Sequence, residues 1–391
     1  MPTGEAVVVV GASVAGASFV AEARALGHRG PIVVIDADPD APYDRPPLSK
    51  GFLTSDDQRP AAPWWNEDCR LVNGRALGLD TEAGRVQVKM ADGSVQGISG
   101  GRFVIATGST PVRLPDEPES VLRLRTADDA RRLRTSVRPG VSATIIGAGT
   151  VGTELASSLT NAGCRVSVVD KADHPLERLL GGHLGAETTQ WLTGAGVDVH
   201  LGRSIDGIAG DGGGWRVQLD DDVLLRSDLL ISAVGTRPRT AWLENSGLHI
   251  SNGIKCDGDG RALGSDGDPI GSVYAVGDVA AWQDGNGIHR RREDWTSAQR
   301  QGRHVAKQLF GDAPPPADRE LPYLWTHQFG RRIQILGTPD RDARLVQHVD
   351  VPERRAAFYS MESDGRPTAW VAVNTPREFA RAMHDAIQLV T

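Results

Sequence analysis

The chain has 391 residues, enough for two or three domains that each bury a core. Its formal charge of −7 argues against broad binding to nucleic acid or anionic membrane, and no apolar run approaches the ~20 residues of a bilayer-spanning helix. Hydrophobic content of 39% and charged content of 24% are ordinary for a globular chain, while 46 glycines without a collagen-like period point to many tight strand-to-helix turns.

From the N-terminus, Ala6–Val10 reads as a short buried strand rather than a targeting segment. An alanine-rich stretch at helical spacing (Ala15–Leu26) and a β-branched run (Ile32–Ile35) follow. Residues 37–66, dense in Pro, Asp and Trp, read as an excursion, and strands are expected at 85–90 and 102–107. The same grammar then restarts: strand Ala143–Ile146, glycine turn Gly147–Gly152, helix Thr153–Ala162, strand Val166–Asp170. Strands at 215–219 and 229–234, a Gly/Asp-rich loop at 257–272, and strand Val273–Val276 come next. A helix near 295–310 precedes the Pro-rich stretch Ala313–Ala317, a linker candidate. Beyond it, strands at 332–336 and 368–373 and a helix near 376–388 make a small α+β domain. Cys69, Cys164 and Cys256 show neither CxxC nor metal-type spacing, as expected of reduced thiols in a cytoplasmic protein.

The duplicated unit carries the chemistry. Gly147, Gly149 and Gly152 form a complete GxGxxG with Thr150 and Val151 between them. In such a turn the first glycine permits the bend, the second lets a pyrophosphate approach the backbone, and the third lets helix and strand pack closely. The phosphate then faces the helix N-terminus. Asp170 ends the following strand, where a carboxylate accepts a ribose 2′-OH and repels a 2′-phosphate, favouring NADH over NADPH despite Lys171 beside it. The first copy, Gly11 to Gly16, has Ser13 at the middle position, Ala15 before the last glycine, and Asp36 at its strand end. Its competing reading is a plain helix–strand packing turn; the intact copy downstream favours a second dinucleotide site. The expected fold is α/β, with two Rossmann-like domains and a small C-terminal α+β domain.

With both cradles placed, the chain resembles the FAD-dependent NADH:ferredoxin reductases that serve bacterial oxygenase and P450 systems, over nearly its whole length. Tyr43-Asp-Arg-Pro-Pro-Leu-Ser-Lys50 is similar to that family's flavin-binding segment, Ile105-Ala-Thr-Gly-Ser109 to its strand-end turn, and Val276-Gly-Asp-Val279 to its second FAD signature. Tyr323-Leu-Trp-Thr-His-Gln328 is a looser version of its interface segment, with Thr326 and His327 where Ser-Asp is common. The resemblance implies a discontinuous FAD domain (1–112 and 236–315), an NAD domain (113–235) and a C-terminal domain (316–391). It assigns Gly11, Ser13, Ala15, Gly16, Asp36, Arg45, Lys50, Ala106, Thr107, Gly108, Asp278 and Trp295 to FAD. Gly147, Gly149, Thr150, Val151, Gly152, Glu154, Asp170 and Gly235 go to NAD. It further implies that Lys50 pairs with Glu154 where nicotinamide meets flavin. An ordinary salt bridge would look the same from sequence, Asp278 has a rival reading as a helix N-cap, and Trp295 and Trp325 have one as packing.

Pyridine nucleotide–disulfide reductases of similar architecture carry a redox cysteine pair, and this chain has none in the corresponding segment. Electrons are therefore expected to leave for an external carrier, an acidic iron–sulfur ferredoxin of [2Fe-2S] type. Basic docking candidates are Arg290, Arg291 and Arg292, and Arg331 with Arg332, although such a run is more often a solvated face. The alternatives are direct reduction of a quinone, a radical or oxygen, and a flavin-bearing sensor.

Overall fold

The computed structural model describes residues 6–54, 62, 65, 68–312 and 321–390. The linker candidate Ala313–Ala317 and much of the excursion's second half lie outside the described residues. The chain divides into two compact units: residues 1–44, 61–110 and 237–320, and residues 45–60, 111–236 and 321–391.

The first unit is built on five parallel strands in the order Pro269–Ala275, Arg102–Ile105, Val7–Val10, Ile32–Asp36, Arg70–Asp80. Val7 to Val10 lie in the middle, each at most 3% exposed. An unbroken valine run suits a strand covered on both faces, which alternation would not. The helix Val14–Ala25 packs along Trp295–Phe310, and the crossing is tight because of Gly302. A Cβ there would sit 2.2 Å from the Ala15 carbonyl oxygen. Antiparallel strands Arg85–Met90 and Val95–Ser99 extend the sheet beyond Arg70–Asp80.

The eleven-residue strand Arg70–Asp80 was hidden in the sequence by its two glycines and two arginines, which break a clean apolar alternation. The loop expected at 257–272 contains a short strand, Arg261–Leu263, and the start of Pro269–Ala275. These pair antiparallel to each other, so backbone ladder bonds supply order that the Gly/Asp composition does not advertise.

The second unit has a four-stranded parallel sheet in the order Asp198–Leu201, Arg165–Asp170, Ser142–Ile146, Leu229–Ser232. Its helix runs from Thr150 to Asn161, starting inside the glycine motif rather than after it. A three-stranded antiparallel sheet covers Ile205–Leu219 and Leu224–Ser227. The five-stranded C-terminal sheet has Tyr323–Gln328 at one edge and the helix Pro376–Val390 after its last strand. Leu176, Leu180 and Leu184 share one buried cluster with Ile333, Ile335, Met361 and Val371. That shared core packs the C-terminal sheet against the 176–184 segment within one compact unit. No described helix is long and apolar enough to cross a membrane.

Candidate active site

Both glycine turns occupy the gap between a central strand and its helix, and their first and third glycines are required by the fold itself. Gly11 has φ +113° and a Cβ would lie 2.3 Å from the Ala106 carbonyl oxygen; Gly147 has φ +106° and would meet Ala233 O at 2.5 Å. Gly16 and Gly152 sit over their partner glycines, with a Cβ placed 2.0 and 1.9 Å from the carbonyl oxygens of Gly11 and Gly147. The middle position differs. Gly149 has φ −74° and ψ −173°, open to any residue, and an added Cβ would meet nothing within 4 Å. No described residue asks for glycine there, so the free space lies where a ligand would press on the helix N-terminus.

Ser13 has nearly the same backbone, φ −79° and ψ −174°, and is likewise the N-cap of its helix. The departure from glycine therefore carries no backbone strain; it only narrows the cradle by a hydroxymethyl group. The strand-end aspartates are also equivalent. Asp36 Oδ2 accepts from Ala12 N (3.2 Å) and Oδ1 from Asp38 N (3.2 Å). Asp170 Oδ2 accepts from Ala148 N (2.5 Å) and Oδ1 from Ala172 N (2.9 Å). Each carboxylate is held beside its glycine turn by backbone N–H groups of the turn and of the loop after the strand. Thr150 starts the second helix, Val151 is 41% exposed on its first turn, and Gly235, at φ +105°, has open space in front of its Cα.

In the first unit, Ser109 Oγ donates to Asp278 Oδ2 at 2.8 Å, joining two motifs 169 positions apart. Between them, Ala106 is buried, Thr107 Oγ1 donates to Arg239 O (3.0 Å), and Gly108 turns the chain at φ +68°. Asp278 lies within the 3-10 turn Gly277–Val279 and caps no helix; the N-cap of Trp295–Phe310 is Asp294, which accepts from Ser297 N at 2.7 Å. Burial pushes the Asp294 carboxyl up, and the charge of Asp278 adds to that shift. Trp295 Nε1 donates to Asp44 at 2.9 Å, so its indole is oriented as well as packed.

In the second unit the helix Thr150–Asn161 presents Glu154, Ser157 and Ser158 on one face, at i, i+3 and i+4. Lys50 Nζ lies 2.7 Å from Glu154 Oε2, which also accepts from Ser49 Oγ (2.5 Å); Thr326 Oγ1 donates to Glu154 Oε1 (2.6 Å). Ser157 Oγ accepts from Phe329 N, and Ser158 Oγ donates to Ser49 O, each at 2.7 Å. One helical face thus gathers the 46–50 segment, which begins just after Arg45, and the 326–329 segment. Lys50 also lies 5.6 Å from the Trp325 ring centre. The charge pair is buried on the Glu154 side, and both carboxylate oxygens are satisfied, the condition under which such a pair persists. Thr326 supplies a hydroxyl just as serine would. His327 is exposed, edge-on to Trp325 at 5.4 Å, and desolvation of its ring together with Lys50 and Arg332 lowers its pKa. A cavity of about 420 Å³ opens beside this cluster, lined by Lys50, Asn161, His327, Arg331 and Arg332 among others.

The two basic runs differ. Arg290 pairs with Asp284 (2.8 Å), Arg291 with Glu293 (2.5 Å), and Arg292, half-buried, feels Asp294. Arg331 lies over Trp191 at 4.8 Å, and among the described residues neither it nor Arg332 has a carboxylate partner. Sequence reasoning passed over Ser49, Ser109 and Gln301 as site residues. The first two stand inside segments already marked by their motifs; Gln301 carries no sequence signal.

Residues 5–302 match the model of the pyridine nucleotide-disulphide oxidoreductase family, and residues 323–387 match its reductase C-terminal companion. The chain belongs to the pyridine nucleotide-disulphide oxidoreductase family. Within that family it is 33% identical over 387 residues to the benzene 1,2-dioxygenase system ferredoxin–NAD(+) reductase subunit of Pseudomonas putida, covering 96% of this chain and 91% of that one. It is 33% identical over 388 residues, with the same coverage, to the chlorobenzene dioxygenase ferredoxin reductase component of a Cupriavidus strain. Among solved structures it resembles the ferredoxin reductase for the CYP199A2 system of Rhodopseudomonas palustris: TM-score 0.86, 29% identity, 96% of this chain and 93% of that one. Unlike the disulphide-bearing members that name the family, this one keeps Cys69, Cys164 and Cys256 as free thiols. Burial raises the pKa of all three, which suppresses the reactive thiolate.

Proposed function

We propose that this protein is an NADH-dependent FAD flavoprotein reductase that passes electrons to a [2Fe-2S] ferredoxin-type carrier serving an oxygenase or P450. The observation that carries the reading is the pair of glycine cradles in a chain whose cysteines are all free and raised in pKa. FAD, when bound, accepts two electrons as hydride from NADH and releases them singly.

The protein's own part is binding, orientation and charge placement. The first cradle, with Gly11, Ser13, Ala15, Gly16 and Asp36, would hold the FAD pyrophosphate and ribose, with Ala106 to Gly108, Asp278 and Trp295 along the rest. The second, with Gly147 to Gly152, Asp170 and Gly235, would hold NADH. In this assignment residues 1–112 and 236–315 serve FAD, residues 113–235 serve NADH, and 316–391 supply the interface segment. The open space before Gly149 supports close approach of a pyrophosphate, and a carboxylate at Asp170 supports NADH over NADPH. Lys50 is the catalytic cation, with Arg45 near it in sequence, and Glu154 holds its ammonium in one place. Arg331 and Arg332, which no carboxylate among the described residues neutralises, support docking of an acidic carrier there. The ion pairs of Arg290 and Arg291 make the run Arg290, Arg291 and Arg292 the poorer candidate.

Anaerobic mixing with NADH tests the first half: the flavin absorbance should bleach within the dead time or seconds, and failure to bleach would overturn the reading. A panel of ferredoxins set against quinones and oxygen tests the second. Turnover with small acceptors alone would move the protein to direct reduction of small molecules.

A further inference from the structure

The run Arg290–Arg292 raises a question that docking does not answer: why its middle arginine is buried. The Arg291 side chain is 8% exposed. Its Nη1 donates to the carbonyl oxygen of Asp278 at 3.1 Å and pairs with Glu293 at 2.5 Å, while Nε donates to Asn252 Oδ1 at 3.3 Å. The backbone makes room for it. Gly253, at φ +106°, would otherwise carry a Cβ 2.8 Å from Val279 O and 3.2 Å from Arg291 Cδ.

Two further contacts hold the same turn. Gln301, buried on the helix Trp295–Phe310, accepts from Gly277 N at 2.8 Å, and Ser109 Oγ donates to the Asp278 carboxylate at 2.8 Å. Gly277 itself has φ +74°, so the turn is an unusual backbone shape that needs support from outside. Gly277 and Asp278, the first two residues of the turn, are thereby tied to the helix through Gln301 and to Ser109 and Arg291. A guanidinium bonded through two nitrogens to three separate groups is a fixture that lysine cannot reproduce.

We infer that Arg291, with Ser109 and Gln301, is a positioning residue that presets the Asp278 carboxylate for the flavin nucleotide. This rests on the reading of Asp278 as an FAD ligand. Arg291 then belongs to cofactor retention rather than to the docking surface.

The test follows FAD release from the purified holoprotein, by recovery of flavin fluorescence after dilution, in Arg291→Gln, Arg291→Lys, Ser109→Ala, Arg290→Gln and Asp278→Asn. Asp278→Asn sets the scale. Arg291→Gln and Ser109→Ala should release FAD on the order of ten-fold faster, as expected for loss of a hydrogen bond to a charged or tightly fixed group. Arg291→Lys should recover little, and Arg290→Gln should match the wild type. Thermal unfolding of the apoprotein separates positioning from structure. A positioning role leaves the apoprotein midpoint near wild type and shrinks the stabilisation that FAD adds; a structural role lowers both. If Arg291→Gln does not fold, Ser109→Ala, which leaves the backbone untouched, decides by the same comparison. Wild-type release from Arg291→Gln and Ser109→Ala alongside fast release from Asp278→Asn would overturn the inference. Wild-type release from Asp278→Asn would instead overturn the FAD reading of that residue.

Discussion

Replacing Gly149 with serine should separate folding from nucleotide binding. The backbone at Gly149 needs no glycine, because φ −74° and ψ −173° match those of Ser13 at the equivalent N-cap. A Cβ added there meets no atom of the described residues within 4 Å. Serine caps a helix at least as well as glycine and removes unfolded-state freedom, so stability should be unchanged or raised by up to about 1 kcal/mol. The added group fills the space in which a pyrophosphate would lie. Overpacking of about 1–3 kcal/mol corresponds to a weakening of NADH binding by roughly 5- to 150-fold. Gly147→Ala is the contrast: at φ +106°, with a Cβ 2.5 Å from Ala233 O, it should destabilise the fold itself. The assays are thermal unfolding and anaerobic titration of NADH binding. Gly149→Ser with wild-type NADH affinity would refute the argument, because the open middle position would then have nothing to do with the nucleotide.

Three other outcomes follow from the geometry. Thr326→Val strips Glu154 Oε1 of its donor and should slow flavin reduction by NADH about ten-fold or more in stopped flow, with Thr326→Ser near wild type. His28 stacks on Phe310 at 4.0 Å with Nε2 buried and unbonded, and burial with Arg24 nearby lowers its pKa. A depressed histidine stabilises the fold above its unfolded pKa of about 6.5 and loses that contribution as pH falls through its folded value. Denaturation between pH 8 and 5 should therefore show declining stability that His28→Phe partly flattens. Charge reversal at Arg331 and Arg332 should raise the KM for an acidic carrier, with a weaker salt dependence, and leave NADH-driven flavin bleaching intact; an unchanged KM would remove that surface from docking.

Much of this was legible because both signals are local. A strand, a glycine turn and a helix in succession are written within thirty residues, and the close contacts at Gly11, Gly16, Gly147 and Gly152 show why the first and third glycines leave so clear a trace. Lys50 and Glu154 lie 104 positions apart; no spacing rule joins them, and family resemblance supplied the pairing. The Arg70–Asp80 strand was illegible for another reason. It is held by ladders to neighbours on both sides, so tertiary pairing overrides a composition that on its own reads as irregular.

The basic run shows the limit most clearly. Three consecutive arginines announce charge, but a sequence cannot say where the countercharges are. Asp284, Glu293 and Asp294 stand within eight residues of the run, so the clue was present; what was missing was the turn of backbone that brings each acid to its arginine. Once paired, the run projects little field at distance, since opposite charges a few ångströms apart cancel beyond a Debye length of about 8 Å. Arg331 and Arg332, with fewer charges but no carboxylate partner among the described residues, project more. Docking surfaces should therefore be sought among unmatched charges rather than dense ones, and a paired arginine with a buried side chain, such as Arg291, is better read as part of the fold's own scaffolding. At Arg291 that scaffolding ends on the carbonyl of Asp278.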